Sequence, residues 1–128
     1  QYSVVNLAQA GVSEYKIYKQ LSGVDLTKFD LVIVSHTSPL RVPTRRHPIH
    51  ATDPLHKNAD LMLADIEYHS SKIKNFFNRS LTAAYRFFMD HYDPEYFELT
   101  YQLLRNKINT ILKDKKVIVI SNFVLKFL

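Results

Sequence analysis

Three stretches of the chain are continuously apolar rather than alternating: Ser3 to Leu7, Asp30 to Ser35 with Leu31-Val32-Ile33-Val34 at its centre, and Lys116 to Ser121 with Val117-Ile118-Val119-Ile120. Unbroken β-branched runs of this length predict strands covered on both faces, the pattern of a parallel sheet lying between layers of helix. Between the first two runs, Tyr15, Ile17, Tyr18 and Leu21 share one broad helical face, with Ser13 placed to cap the helix and Gly23 to stop it. Strand, helix and strand then form one right-handed crossover unit.

Beyond the second run the periodicity vanishes. Prolines at 39, 43, 48 and 54 stiffen a loop in which no regular element can persist. Asn58 is placed to cap a long helix with Met62, Ile66, Ile73 and Phe77 on one face, and Ser80 a further one through Leu81, Ala84, Tyr85 and Phe88. Asp93-Pro94 is a strong helix start, a capping side chain followed by proline in the first turn, for a helix carrying Phe97, Tyr101, Leu104, Ile108 and Ile111. That helix leads directly into the third apolar run.

The pattern predicts an α/β protein, a three-layer flavodoxin-like parallel sheet with helices on both faces. At 128 residues the chain fits one domain over 1–128. It opens on Gln1 rather than methionine and closes on the apolar run Phe123 to Leu128, so both ends are expected to be cuts in a longer chain. Covering structure over that apolar end is expected from missing flanking segments or from an oligomer partner.

Composition narrows the function classes. There is no cysteine, which removes disulfides, thiolate metal sites and a cysteine nucleophile, and favours a reducing, cytoplasmic setting. No apolar run approaches the roughly 18 residues of a membrane span. A net charge of +5 favours anionic partners: phosphates, acidic sugars or nucleic acid. Most aromatics fall on helix faces, where a core role is expected before a base-stacking one.

In open parallel sheets ligands sit beyond the carboxyl ends of the strands, which directs attention to the loops after Leu7 and Ser35. The first holds Asn6 and Gly11 ahead of a helix N-terminus, where free backbone N–H groups can hold an anion or an oxyanion, or where Gly11 simply makes a tight turn. The second reads His36-Thr37-Ser38-Pro39-Leu40-Arg41, polar groups directly after an apolar strand and hence candidates to face a ligand. Further on, Arg41, Arg45 and Arg46 can grip a phosphate or carboxylate, and His47 and His50 are candidate ligand contacts. With Asp53 and His56 these histidines also invite a metal reading, but their spacing matches no established ligand pattern, and no metal or other cofactor is expected.

The N-x-x-x-x-G turn at Asn6 to Gly11, the following helix, and the phrase Asp30-Leu31-Val32-Ile33-Val34-Ser35-His36-Thr37-Ser38-Pro39 resemble the middle of SGNH (GDSL-like) hydrolases, in the variant found in bacterial polysaccharide and phage gene clusters. The resemblance implies an esterase or acyltransferase acting on acylated carbohydrate, its nucleophilic serine lying outside this piece. It implies that Gly11 N–H and the Thr37/Ser38 turn stabilise an oxyanion, the turn standing where the family has an asparagine that is absent here. Asp53-Pro54-Leu55-His56 is similar to the family's D-x-x-H base, although the family places that block after its last strand. The alternative is a non-catalytic module that binds an anionic ligand through the loop from Arg41 to Lys57.

Overall fold

The computed structural model describes residues 1–121; the apolar run from Phe123 to Leu128 lies outside them. It is a mixed α/β structure. In chain order α1 (Glu14–Ser22) leads to β1 (Val32–His36), then come α2 (Leu63–Ser70), α3 (Arg79–Asp90), α4 (Pro94–Ile111) and finally β2 (Val117–Ser121). The strands pair in parallel, Val32 opposite Val117 through His36 opposite Ser121.

One face of β1 is buried, whereas on β2 Val119, opposite Val34, is 52% exposed. Val34 and His36 point inward at 3% and 4% exposure, and Val12, Ile17, Val34, Ile108 and Leu112 form a core between the strands, α1 and α4. On the opposite face Ile33 is 61% exposed and Ile118 49%. The expected covering on both faces is therefore absent among the described residues, although the unbroken apolar run remains.

The first expected strand, Ser3 to Leu7, is not one. Residues 1–9 carry no regular structure, and Val4 and Val5 are exposed. Strand preference is a matter of packing against pleated neighbours, and β1 finds its partner in β2 instead.

A second core lies between α2 and α3, where Val42, Ile66, Leu81, Ala84 and Phe88 are buried together. The long helix expected from Asn58 to Phe77 is replaced by α2, which starts at Leu63 and ends at Ser70, and a single 3-10 turn at Ile73–Asn75. Ile73 and Phe77, expected on its buried face, are instead almost fully exposed. The break falls where Ser70, Ser71, Asn75 and Asn78 favour turns over helix. Asn78 then accepts the Leu81 N–H at 3.0 Å, so α3 is capped two residues before the expected Ser80. For α4 the expected start holds: Asp93 Oδ1 accepts from Glu95 N–H at 3.1 Å with Pro94 in the first turn.

Two features shape the region outside the sheet. Val42 and Leu61 exchange backbone hydrogen bonds of 2.9 and 3.0 Å, so an isolated antiparallel bridge closes the proline-rich loop at its neck. Gly11 sits at φ +75, a left-handed conformation that costs glycine little. A Cβ there would meet Ala59 Cβ at 2.9 Å, so absence of a side chain lets the turn before α1 touch the end of the loop.

Candidate functional site

The start of α1 is built from residues far apart in sequence. Ser13 makes no side-chain cap bond; its backbone N–H donates to Asp60 Oδ2 at 2.7 Å. Asp60 is 2% exposed, accepts Thr44 N–H at 2.8 Å and pairs with Lys16 Nζ at 2.6 Å. The anion expected at this helix N-terminus is thus provided by the protein itself: Asp60 takes the N–H of the N-cap residue and sets a negative charge at the positive end of the helix dipole.

Glu14, in the first turn, is buried against the end of β1. It contacts His36 Nδ1 through Oε1 and accepts Thr37 N–H through Oε2 at 3.3 Å. His36, expected to face a ligand, is held inside by a carboxylate whose partner role a linear reading did not single out. Carboxylate contact at Nδ1 calls for the proton on that nitrogen and orients the ring.

Arg41 lies over this edge. Its Nε donates to Thr37 Oγ1 and its Nη1 to the Gly11 carbonyl, both at 3.1 Å. It forms no ion pair with any carboxylate among the described residues. Burial pulls its pKa below the ordinary value, with Asp60 and Asp65 opposing that shift. Arg41 lines a cleft of about 280 Å³ whose walls also include Ser13, Ser38, Tyr96, Phe97 and Tyr101. Ser13 Oγ is buried there without a hydrogen-bond partner among the described residues. Ser38 Oγ accepts Leu40 N–H at 3.2 Å, and burial, then the nearby Glu14 charge, pushes the Tyr101 phenol up.

Of the other sequence candidates, Asn6 stands apart on the exposed leading segment, its Oδ1 accepting Ala8 N–H at 3.0 Å. Arg45 and Arg46 are exposed on the loop. Asp53 and His56 do meet: Oδ2 lies 2.8 Å from Nδ1, and both side chains are about two-fifths exposed. The His56 hydrogen bond holds the Asp53 carboxyl below its usual value.

The loop also carries His47 and His50 to the outer turn of α2. There Asp65 Oδ2 lies 3.2 Å from His47 Nε2 and 3.1 Å from His50 Nε2, and Asp65 Oδ1 lies 3.4 Å from His69 Nε2. The expected histidine cluster does form, with the His50 and His56 ring centroids 5.7 Å apart, but the carboxylate that reaches His47 and His50 is Asp65, while Asp53 bonds His56. Asp65 and His69 are four residues apart on α2, a spacing that puts both on one helix face and was readable in the sequence. His47 is 1% exposed, and burial beside His50 lowers its pKa to about 4 despite the pull of Asp65.

No protein-family model, curated protein or solved structure matches the chain. No helix among the described residues is long and apolar enough to cross a membrane.

Proposed function

We propose that the cleft beside α1 binds a small anionic ligand, a carboxylate or phosphate carried on a sugar-sized body. The observation that carries this reading is Arg41: a half-buried guanidinium, fixed by Gly11 O and Thr37 Oγ1, on a residue that lines the cleft and has no carboxylate partner among the described residues. Two of its five N–H groups are used by those bonds, which leaves donors for a ligand oxygen. Tyr96, Phe97 and Tyr101 supply an apolar and aromatic wall of the kind that packs on a sugar ring, and the volume suits one such unit. The reading assigns the anion contact to Arg41 rather than to the exposed Arg45 and Arg46.

Titration of the protein with D-glucuronate, inorganic phosphate and neutral glucose, followed by backbone amide NMR shifts, tests the reading. Saturable shifts around Thr37 to Arg41 with an anion, weakened by salt and lost in Arg41→Gln but kept in the Arg45→Ala/Arg46→Ala double variant, are expected. Equal loss in the double variant moves the site to the outer loop and sinks the Arg41 reading.

A second reading is favoured by the Asp53–His56 contact. An acid holding Nδ1 of a half-exposed imidazole, with Nε2 turned away from it, is the arrangement of a general base. In an SGNH-like esterase or acyltransferase acting on acylated carbohydrate, the two strands would belong to a larger three-layer flavodoxin-like sheet. The serine would come from outside the described residues, and Gly11 N–H would serve the oxyanion. Thr37 N–H, already donating to Glu14, would not. Fluorophosphonate labelling of the natural full-length protein, lost in His56→Gln, supports this reading; an unlabelled protein removes it.

A further inference from the structure

We propose that His47, His50 and Asp65 form a binding site for a divalent transition-metal ion of the zinc class, with His69 available as a further donor. One ligand atom from each of the three residues lies within 4.8 Å of the other two, and both histidines reach Asp65 Oδ2 through Nε2. Two donors bound to one ion at about 2.0–2.1 Å in tetrahedral geometry stand about 3.3 Å apart. The two histidine-to-aspartate separations here are 3.2 and 3.1 Å.

An ordinary hydrogen-bonded cluster leaves one fact unexplained. His47 Nε2 lies 3.2 Å from the carboxylate oxygen, yet it is buried and has no aligned hydrogen-bond partner among the described residues. A nitrogen and an oxygen that are close but do not point at each other suit donors aimed at a common third point. The His47 and His50 rings stack with centroids 4.4 Å apart and a 28° tilt, which sends both Nε2 atoms toward the same carboxylate. His69 approaches the other oxygen from α2 itself, at 3.4 Å. Imidazole and carboxylate donors select zinc, cobalt or nickel over magnesium or calcium, which prefer an all-oxygen shell.

Protons set the conditions for loading. His47 Nδ1 accepts the N–H groups of Ile49 and His50, both at 3.2 Å, which keeps the ring proton on Nε2 in the metal-free fold. Coordination through Nε2 must move that proton to Nδ1, with no net proton released, at the expense of those two long contacts. Arg41, within electrostatic reach of Asp65, works against the cation.

The site shares no residue with the anion cleft and is tested without it. Untagged protein is titrated with Co²⁺ and read by visible absorption, then with Zn²⁺ by competition. One ion per chain, with bands of four- or five-coordinate Co²⁺ that Zn²⁺ removes and excess Mg²⁺ does not, is expected. Asp65→Asn and His50→Gln, both at half-buried positions, should each weaken binding at least about 10-fold, while the exposed His91→Gln should not change it. Absence of such bands, or binding that survives the Asp65→Asn/His50→Gln double variant, overturns the proposal. Should a variant fail to fold, histidine side-chain ¹⁵N NMR of the unaltered protein decides. Zn²⁺ must move the His47 and His50 Nε2 resonances first, and perturbation of His91 alone overturns the assignment.

Discussion

Asp60 and Ser13, separated by 47 residues, are joined by a 2.7 Å bond from the Ser13 N–H to the Asp60 carboxylate. Through that bond the far end of the proline-rich loop caps the helix whose first turn builds the candidate site. Asp60 also holds Thr44 N–H and Lys16, so one buried carboxylate ties together α1 and both arms of the loop.

Asp60→Ala should consequently destabilise the protein by about 3 kcal/mol, since it orphans two backbone donors and a partly buried ammonium. Urea unfolding followed by circular dichroism measures it. A loss under 1 kcal/mol means that the cap is decorative and the loop is held elsewhere.

Gly11→Ala combines a left-handed backbone with a Cβ placed 2.9 Å from Ala59 Cβ. The expected cost is about 2 kcal/mol. The double variant with Ala59→Gly should recover the steric part but not the backbone part. Recovery of the whole loss would show that the left-handed conformation carries no cost here.

His47 makes stability depend on pH in chelator-treated protein. The unfolded imidazole takes its proton near pH 6.5 and the folded one only near pH 4, because burial and the neighbouring His50 and His69 outweigh Asp65 and Asp60. Between those values the unfolded chain binds more protons. The stabilisation is thus complete above pH 6.5 and lost as the pH falls toward 4, to the extent of about 3 kcal/mol. His47→Asn keeps an acceptor for the Ile49 and His50 N–H groups but cannot titrate in this range. Urea midpoints of the two proteins at pH 7.5 and 4.5 should differ most at the acid end in favour of the variant's flatter profile; parallel profiles would refute the assignment to His47.

Asn78→Ala removes the side chain that accepts Leu81 N–H at the start of α3 and should cost about 1 kcal/mol. Ser80→Ala, at the residue that local pattern alone nominated, should cost under half a kcal/mol. Reversed magnitudes would place the cap at Ser80 after all.

Local chemistry was legible where it is self-contained. Asp93-Pro94 starts α4, Glu14 to Ser22 follows its apolar stripe, and Val32 and Val117 open the two strands within two residues of where the apolar runs begin. The helix start and stripe depend on neighbours a few residues away, whereas the two strands depend as well on each other. The run Ser3 to Leu7 has the same apolar character but pairs with neither strand, and Ile73 and Phe77 keep helical spacing across a break made by serine and asparagine. Apolar pattern states what a segment can bury, not whether a partner arrives to cover it.

The site divides in the same way. The sequence by itself marked the neighbourhood: Gly11, the polar turn after β1, Arg41, and the histidines of the stiff loop. Only the tertiary structure chose the partners, putting Asp60 at the helix start, Glu14 on His36 and Asp65 between His47, His50 and His69. The physical reason is range. Caps, turns and strand propensity act within a few residues, whereas a buried carboxylate is positioned by whichever donors the closed chain brings to it, and here the Val42–Leu61 bridge and the bare α-carbon of Gly11 set that closure.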